Sequence, residues 1–393
     1  MSIDSREVRS RNLESSAADE KAVQVGTHRA CSPEATLARV LPLLPAMGIT
    51  RVAEVTRLDD LGIPVFQAIR PNSRNLSVSQ GKGITRQLAK VSAIMESIET
   101  WHAEEPSLPS TRGAIGEMAA CLPYSIYDLN LVEHCLLHDS CVLDWFPGTI
   151  LGSWEQTFVP TDYIRLDFTT TNEWLPPTFE LASNGLASGN TLEEAILHGL
   201  YEVVERDTFA QARVRNLQEV AIDPATVDGE ASAPLIEQLS KAGADCAIFS
   251  VSGPTGIACF GARIISSNYP IVAIGYGCHL DRDVALSRAL TEAAQSRLTM
   301  ISGARDDIDR RTYARIRSRH PLVKMDKGKP LAAFQDIPSL RLARLKEDLD
   351  EVTRRLLSAV SCPPIIVDLT RPELMIPVVF VVAPQLRSLE AHA

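Results

Sequence analysis

Apolar positions are sparse and aperiodic in the first ~35 residues, whereas from Pro33 onward they recur with helical or strand-like spacing. The opening stretch is polar, charged and short of aromatics, which predicts a mobile or loosely docked segment. The organisation that follows is an N-terminal segment over residues 1–45 and a single domain over 46–393. PEATLARVLPLLPAMG, from Pro33, has the pattern of a helix stopped near Gly48. TRVAEVTRLDDLGIPVFQAIRP then alternates strand-like runs about a turn at Gly62 and Pro64. A glycine-rich turn, SQGKG at 79–83, leads into the long helical stretch TRQLAKVSAIMESIETWHAEE. Residues 106–180 are rich in Pro, Trp and short apolar runs and predict strands and loops. A second glycine turn, SNGLASGN at 183–190, opens into the helical TLEEAILHGLYEVVERDTFAQAR. Strand-like runs at 245–251, 257–265 and 270–277 precede a third long helix from near Asp283. The remainder holds a charged helix, RLARLKEDLDEVTRRLLSAV, and the strands PIIVDL and PVVFVV. This is a mixed α/β chain.

The three long helices repeat one polar spacing. Ser92, Glu96 and Glu99, then His198, Glu202 and Glu205, then Arg288, Glu292 and Gln295 each step by four and then three residues. At about 3.6 residues per turn, each trio returns to one helix face. Glu194, eleven residues before Glu205, lies close to the same stripe. Val91, Ile94, Met95 and Ile98 surround the first acidic pair, and Ala195, Ile196, Leu200, Val203 and Val204 the second. Carboxylates so hemmed in need a partner, and a cation serves several at once. Mg2+ suits such a set, being a hard ion that bridges readily to phosphate. A solvated face with i to i+4 ion pairs accounts for any one helix taken alone. Its recurrence in three helices is what favours the metal.

Composition narrows the partners. The 393 residues are 45% hydrophobic and 22% charged, with a formal net charge of −10 and a pI near 5.4. An acidic chain lacks the basic surface that displaces counterions from nucleic acid, and no polybasic segment draws it to an anionic membrane. No apolar run approaches the ~18–20 residues of a membrane span, and MSIDSREVRSRNLESSAADEK has no secretory h-region. Eight cysteines without a CxxC pair predict reduced, mostly buried thiols and hence a cytoplasmic chain. Gln80-Gly81-Lys82-Gly83 precedes a helix, where free amides and a lysine can hold an anion, although it lacks the spacing of a Walker A loop. Asn190 reads as a helix N-cap or as a ligand, capping being the simpler role. His134, Cys135, His138, Asp139 and Cys141 could suggest zinc, but their spacing matches no closed structural site and ordinary loop residues are the simpler reading.

Three segments together resemble the signatures of the YcaO family. SVSQGKGITRQLAKVSAIMESIET resembles the first, a GKG turn followed by Ser-x3-Glu-x2-Glu. NGLASGNTLEEAILHGLYEVVERD resembles the second, and RALTEAAQSRLTMISGARDD the third, in the family's order. The resemblance spans roughly residues 46–385 and implies a YcaO-like α/β fold, with mixed sheets and long helices enclosing a site for ATP and Mg2+. It implies Glu96, Glu99, Glu194, Glu202, Glu205 and Glu292 as the metal and phosphate set. Lys82, Ser92, Asn190, Arg206 and Arg288 are implied as nucleotide and phosphate contacts, with Arg288 and Glu292 at the reacting phosphoryl group. One departure is Thr100 after Glu99, where the motif often has arginine.

The implied reaction adds a nucleophile to a peptide-bond carbonyl, phosphorylates the resulting oxyanion from ATP and expels phosphate. Thioamide, azoline and amidine products all belong to such chemistry. The chain finishes VVAPQLRSLEAHA, without the Pro-x-Pro-x-Pro tail common in azoline-forming members, and too few residues precede the core for a fused leader-peptide-binding domain. Residues 48–83 and the ESIETWHAE variant resemble members associated with TfuA-type proteins. The expectation is therefore thioamide formation on a peptide with a separate TfuA-like or leader-binding partner, in a possible homodimer. Azoline formation from Cys, Ser or Thr is the alternative. Two other classes stay open: a non-catalytic peptide-binding scaffold, and a metal-dependent hydrolase that turns over without ATP.

Overall fold

Three antiparallel sheets and the helices laid on them make up the computed structural model, which describes residues 20–169, 176–215, 218–308, 313 and 331–387. Sheet one joins strands β1 (Arg51–Glu54), β2 (Val65–Ile69) and β3 (Val78–Lys82) in that order. Helix α1 (Pro33–Val40) precedes it, and α2 (Arg86–Glu104) follows and packs on β2 and β3. The central sheet runs β4 (Thr111–Ala114), β5 (Val142–Ile150), β12 (Ile365–Asp368), β13 (Val378–Val382) and β7 (Leu186–Ser188), with β6 (Gln156–Pro160) paired to β5. Helix α3 (Leu192–Arg215) leaves β7 and packs back on β13. The last sheet orders β11 (Tyr269–His279), β10 (Ala258–Ser266), β9 (Ala244–Ser250) and β8 (Val220–Ile222). Helices α4 (Ser232–Lys241) and α5 (Arg282–Ser302) cover it, and α6 (Leu345–Ala359) packs on α3.

Small residues decide how closely helix and strand approach. A Cβ on Gly81 of β3 would lie 1.9 Å from the Ala93 nitrogen of α2. On Gly275 of β11 it would lie 2.2 Å from the Ala293 nitrogen of α5, and on Gly277 2.0 Å from the Ala285 oxygen. Each helix thus rests its Ala face on a glycine strand, with its polar trio beside that face. The same close approach corrects one expectation. Gly81 and Lys82 are not in a turn with free amides; they complete β3, opposite Phe66 and Val65 of β2.

Most elements fall where the apolar pattern puts them. The stretch from Pro33 is α-helical only to Val40 and continues as a 3-10 helix through Met47, because Pro42 and Pro45 bring no amide hydrogen. It ends, as expected, at Gly48, in the left-handed conformation with φ +70°. No helix among the described residues is long and apolar enough to cross a membrane.

The N-terminal segment differs from its expectation. Residues 1–19 lie outside the described residues, but 20–45 are docked, not loose. Lys21 Nζ is buried 2.6 Å from Asp348 Oδ2 of α6 and donates to the Leu342 carbonyl at 2.8 Å. Val40 and Leu44 join the core formed by Ile94, Ile98 and Phe380. A buried ammonium demands its carboxylate, and that partner stands more than three hundred residues away, so local composition could not announce it.

Candidate active site

The three polar faces converge. On α2, Glu99 accepts hydrogen bonds from the Ser188 amide (2.8 Å) and hydroxyl (2.6 Å), fastening that helix to β7. Burial pushes the Glu99 carboxyl up to about 8; the Ser188 hydroxyl opposes this and the neighbouring Glu96 and Glu202 reinforce it. Glu96, one turn earlier, is likewise raised by burial, with Arg305 and Lys82 pulling the other way. Ser92 is half-buried one turn before Glu96.

From α3, Glu202 is held up to about 7 by burial, partly offset by Arg206, whose Nη2 lies 4.0 Å from its Oε1. Glu205 is buried and also raised, by burial first and then by the charge of Glu292. Glu292 of α5 behaves oppositely. Burial would raise it, but Lys82 and Arg206 outweigh burial and hold it low. Lys82 Nζ lies 2.5 Å from Glu292 Oε2, while the Tyr276 amide of β11 donates to Oε1 at 3.3 Å. Carboxylates on three helices and a lysine on a strand thus share one electrostatic field.

Arg288 is positioned by a residue whose spacing was visible but whose role was not. Its Nη1 and Nη2 each stand 3.3 Å from His198 Nε2. Burial, then Arg29 and Arg288, depress the His198 pKa well below the ordinary imidazole value. The ring is therefore neutral and can accept from the guanidinium.

The N-terminus of α3 closes the other end. Asn190 does not cap the helix; the Thr191 hydroxyl does, accepting from the Glu194 amide at 3.2 Å. The Asn190 side chain instead accepts from Thr36 Oγ1 (2.8 Å) and Arg39 (3.2 Å) and donates to Glu194 at 3.1 Å. Glu194 also receives Arg29 Nη1 (3.2 Å) and the Ala30 amide (2.9 Å). Arg29, Thr36 and Arg39 thus border the site, though nothing local in their polar context marked them. Gln295 lies half-buried on α5, and Thr299, one turn on, bonds Gln80 of β3. At Thr100, the departure from the motif, the hydroxyl accepts from Arg70, whose guanidinium also clasps Glu104 at 2.5 Å on both oxygens.

Two other clusters can be set aside as metal centres. His134 is exposed and His138 bonds Ser140, so the loop from 134 to 141 gathers no ligand set. Among the described residues, the one His/Cys/Asp/Glu group with metal-ligand spacing is His28, His279 and Asp348. There the buried Lys21 ammonium already supplies the positive charge, and His279 Nδ1 accepts from the Asp281 amide at 2.9 Å. A neutral His279 then carries its proton on Nε2 and has no free lone pair for a metal.

The helix cluster suits a divalent cation by its charge, its carboxylate oxygens standing wider apart than the ligand atoms of the His28, His279 and Asp348 group. Glu96, Glu99, Glu202, Glu205 and Glu292 share one field with Lys82, Arg206, Arg288 and Arg305, while Glu194 lies with Arg29 at the N-terminus of α3. Carboxylates raised by burial and by one another are those that a hard oxygen-seeking ion would relieve.

A family model described as YcaO cyclodehydratase, ATP- and Mg2+-binding, matches residues 80–387. An uncharacterised protein of Mycobacterium tuberculosis is 40% identical over 375 residues, covering 92% of this chain and 83% of the relative. An uncharacterised protein in the tfuA 3′ region of Rhizobium leguminosarum bv. trifolii is 37% identical over 396 residues, covering 95% and 93%. Among solved structures, YcaO from Methanopyrus kandleri bound with AMPPCP and Mg2+ superposes with a TM-score of 0.74 at 24% identity, covering 94% of both chains. A heterocyclase in complex with substrate and cofactor gives 0.76 at 22% identity, over 96% of this chain and 54% of that one. At such identities the two structures speak for the fold.

Proposed function

This chain belongs to the YcaO family, and we propose that it is an enzyme that uses ATP and Mg2+ to activate a backbone amide of a peptide. ATP supplies the phosphoryl group and Mg2+ offsets phosphate charge; an amide oxygen leaves poorly, and phosphate leaves well. The observation that carries this reading is the meeting of acidic faces from α2, α3 and α5 around Lys82 and Arg288. Glu96, Glu99, Glu194, Glu202, Glu205 and Glu292 would hold the metal. Lys82, Ser92, Asn190, Arg206 and Arg288 would contact the nucleotide. Arg288, kept in place by neutral His198, would stabilise the charge that develops on the transferring group, and Glu292 would orient the ion beside it.

For the nucleophile, the finer reading is external sulfide and a thioamide product, formed with a TfuA-like partner in the cytoplasm, the enzyme acting as a homodimer. The relative in the tfuA 3′ region supports the partner. Azoline formation is the second reading, favoured by the cyclodehydratase wording of the family model. Mass spectrometry of a candidate peptide incubated with enzyme, ATP, Mg2+, sulfide and partner tests both. Exchange of one oxygen for sulfur gives the first, loss of one water the second. Absence of any ATP-dependent mass change or phosphate release, with nucleotide still bound, would leave a scaffold or a hydrolase that turns over without ATP.

A further inference from the structure

We propose that Lys82 and a divalent ion are alternative partners of Glu292, so that this site takes its metal together with the nucleotide and resists metal alone. The inference rests on reading the cluster as a nucleotide–magnesium site, and it assigns Lys82 a gating role beyond phosphate contact. Lys82 Nζ sits 2.5 Å from Glu292 Oε2, and the other carboxylate oxygen already accepts from the Tyr276 amide. Each oxygen thus has one lone-pair direction taken, and the ammonium stands beside the direction left on Oε2. Mg2+ needs oxygen ligands at about 2.0–2.1 Å in near-octahedral array, and an ammonium on the same oxygen would repel it.

The lysine cannot simply withdraw with its backbone. Residue 82 is paired to Val65 in β3, and Gly81 beside it is pressed against the Ala93 and Ala89 backbone of α2. Only the side chain can swing. Its field reaches Glu96, Glu205, Glu292 and His198, so these groups on all three helices share it as a cation. A bare divalent ion meets this charge together with those of Arg206 and Arg288. A metal arriving on a triphosphate brings anionic oxygens that can receive the ammonium, leaving Glu292 to the ion. The exchange makes and breaks no covalent bond.

The test is a titration of the full-length chain with Mn2+, read by its paramagnetic resonance signal, with and without a non-hydrolysable ATP analogue. Wild type, K82M and K82R are compared, with unliganded thermal unfolding verifying that each is folded. In the wild type, the analogue is expected to tighten Mn2+ binding by about tenfold or more, an ordinary size for coupling between two ligands. K82M should bind Mn2+ alone about tenfold more tightly than wild type and lose most of that coupling. K82R, which keeps the cation, should exclude bare Mn2+ as wild type does. Equal Mn2+ affinity of wild type and K82M without nucleotide would overturn the gating role while leaving the nucleotide–metal reading intact. Failure of the wild type to bind Mn2+ even with the analogue would overturn both.

Discussion

At the scale of single residues, protonation is the most measurable consequence of the clustering. Burial is the first cause that lifts Glu99 to about 8 and Glu202 to about 7. Between the ordinary glutamate value and these raised ones, the folded chain binds more protons than the unfolded chain. Stability from the neutral carboxyls is thus fully present below pH ~4.5 and is lost as pH rises through 7 and 8. Above the ordinary imidazole value of about 6.5, where the buried neutral histidines no longer oppose the trend, the metal-free protein should melt at progressively lower temperature up to pH 8, and added Mg2+ with nucleotide should flatten that slope. Calorimetry at pH 7 in two buffers of different ionisation enthalpy should show protons released on binding; no release would mean that the two carboxyls are already ionised. Arg288 makes a second prediction. R288A should lower ATP turnover by about 10²–10³-fold, the usual cost of losing one preorganised donor at a developing charge. H198L should lower kcat with little change in the KM for ATP, and H198N, which keeps an acceptor, should recover part of the loss. Phosphate-release kinetics distinguish these outcomes.

At the scale of elements, the glycine strands set where the acidic faces stand. The Cβ added in G81A or G275A would lie 1.9 or 2.2 Å from helix backbone nitrogen. Backbone cannot rotate aside, so overpacking should cost at least about 1–3 kcal/mol. Gly243 makes the contrast. Its φ is +69°, but an added Cβ there meets nothing within 4 Å, so G243A carries only the left-handed backbone penalty of roughly 1–2 kcal/mol. Denaturant unfolding should rank G243A as milder than either strand variant. G81A should also weaken nucleotide binding, since it moves α2, and with it Glu96 and Glu99, away from Lys82. The helices and the strand over 270–277 were readable beforehand, because helical and strand-like spacing are local signals. What escaped was that SQGKG is a strand and not a turn. Glycine there answers a helix packed across it, a contact that no turn propensity reports.

At the scale of the molecule, the N-terminal segment is clamped by charge. Lys21 and Asp348 are buried almost completely, and His28 sits 3.5 Å from the same Asp348 oxygen. In D348N the ammonium would be left buried without its carboxylate, which should cost about 3–5 kcal/mol. Limited proteolysis should then cut in residues 20–32 well before the core. Nucleotide affinity should fall as well, since Arg29, Thr36 and Arg39 would no longer be held against Glu194 and Asn190. Unchanged protection would show that the apolar seat of Val40 and Leu44 suffices. This docking joins Lys21 to a residue more than three hundred positions away, and the pairing of His198 with Arg288 spans 90. By itself, the order of residues determined which side chains share a helix face, where most helices and strands begin and end, and that the four carboxylates Glu96, Glu99, Glu202 and Glu205 would be hemmed in by apolar neighbours. Those properties follow from a period of a few residues and from nearest-neighbour sterics. Only the tertiary structure decided that the three faces meet, that Lys82 lies on Glu292, and that residues 20–45 close the end of the site. Such meetings depend on sheet order and on the pairing of buried charges across the whole chain, and hydrophobic period carries no record of either.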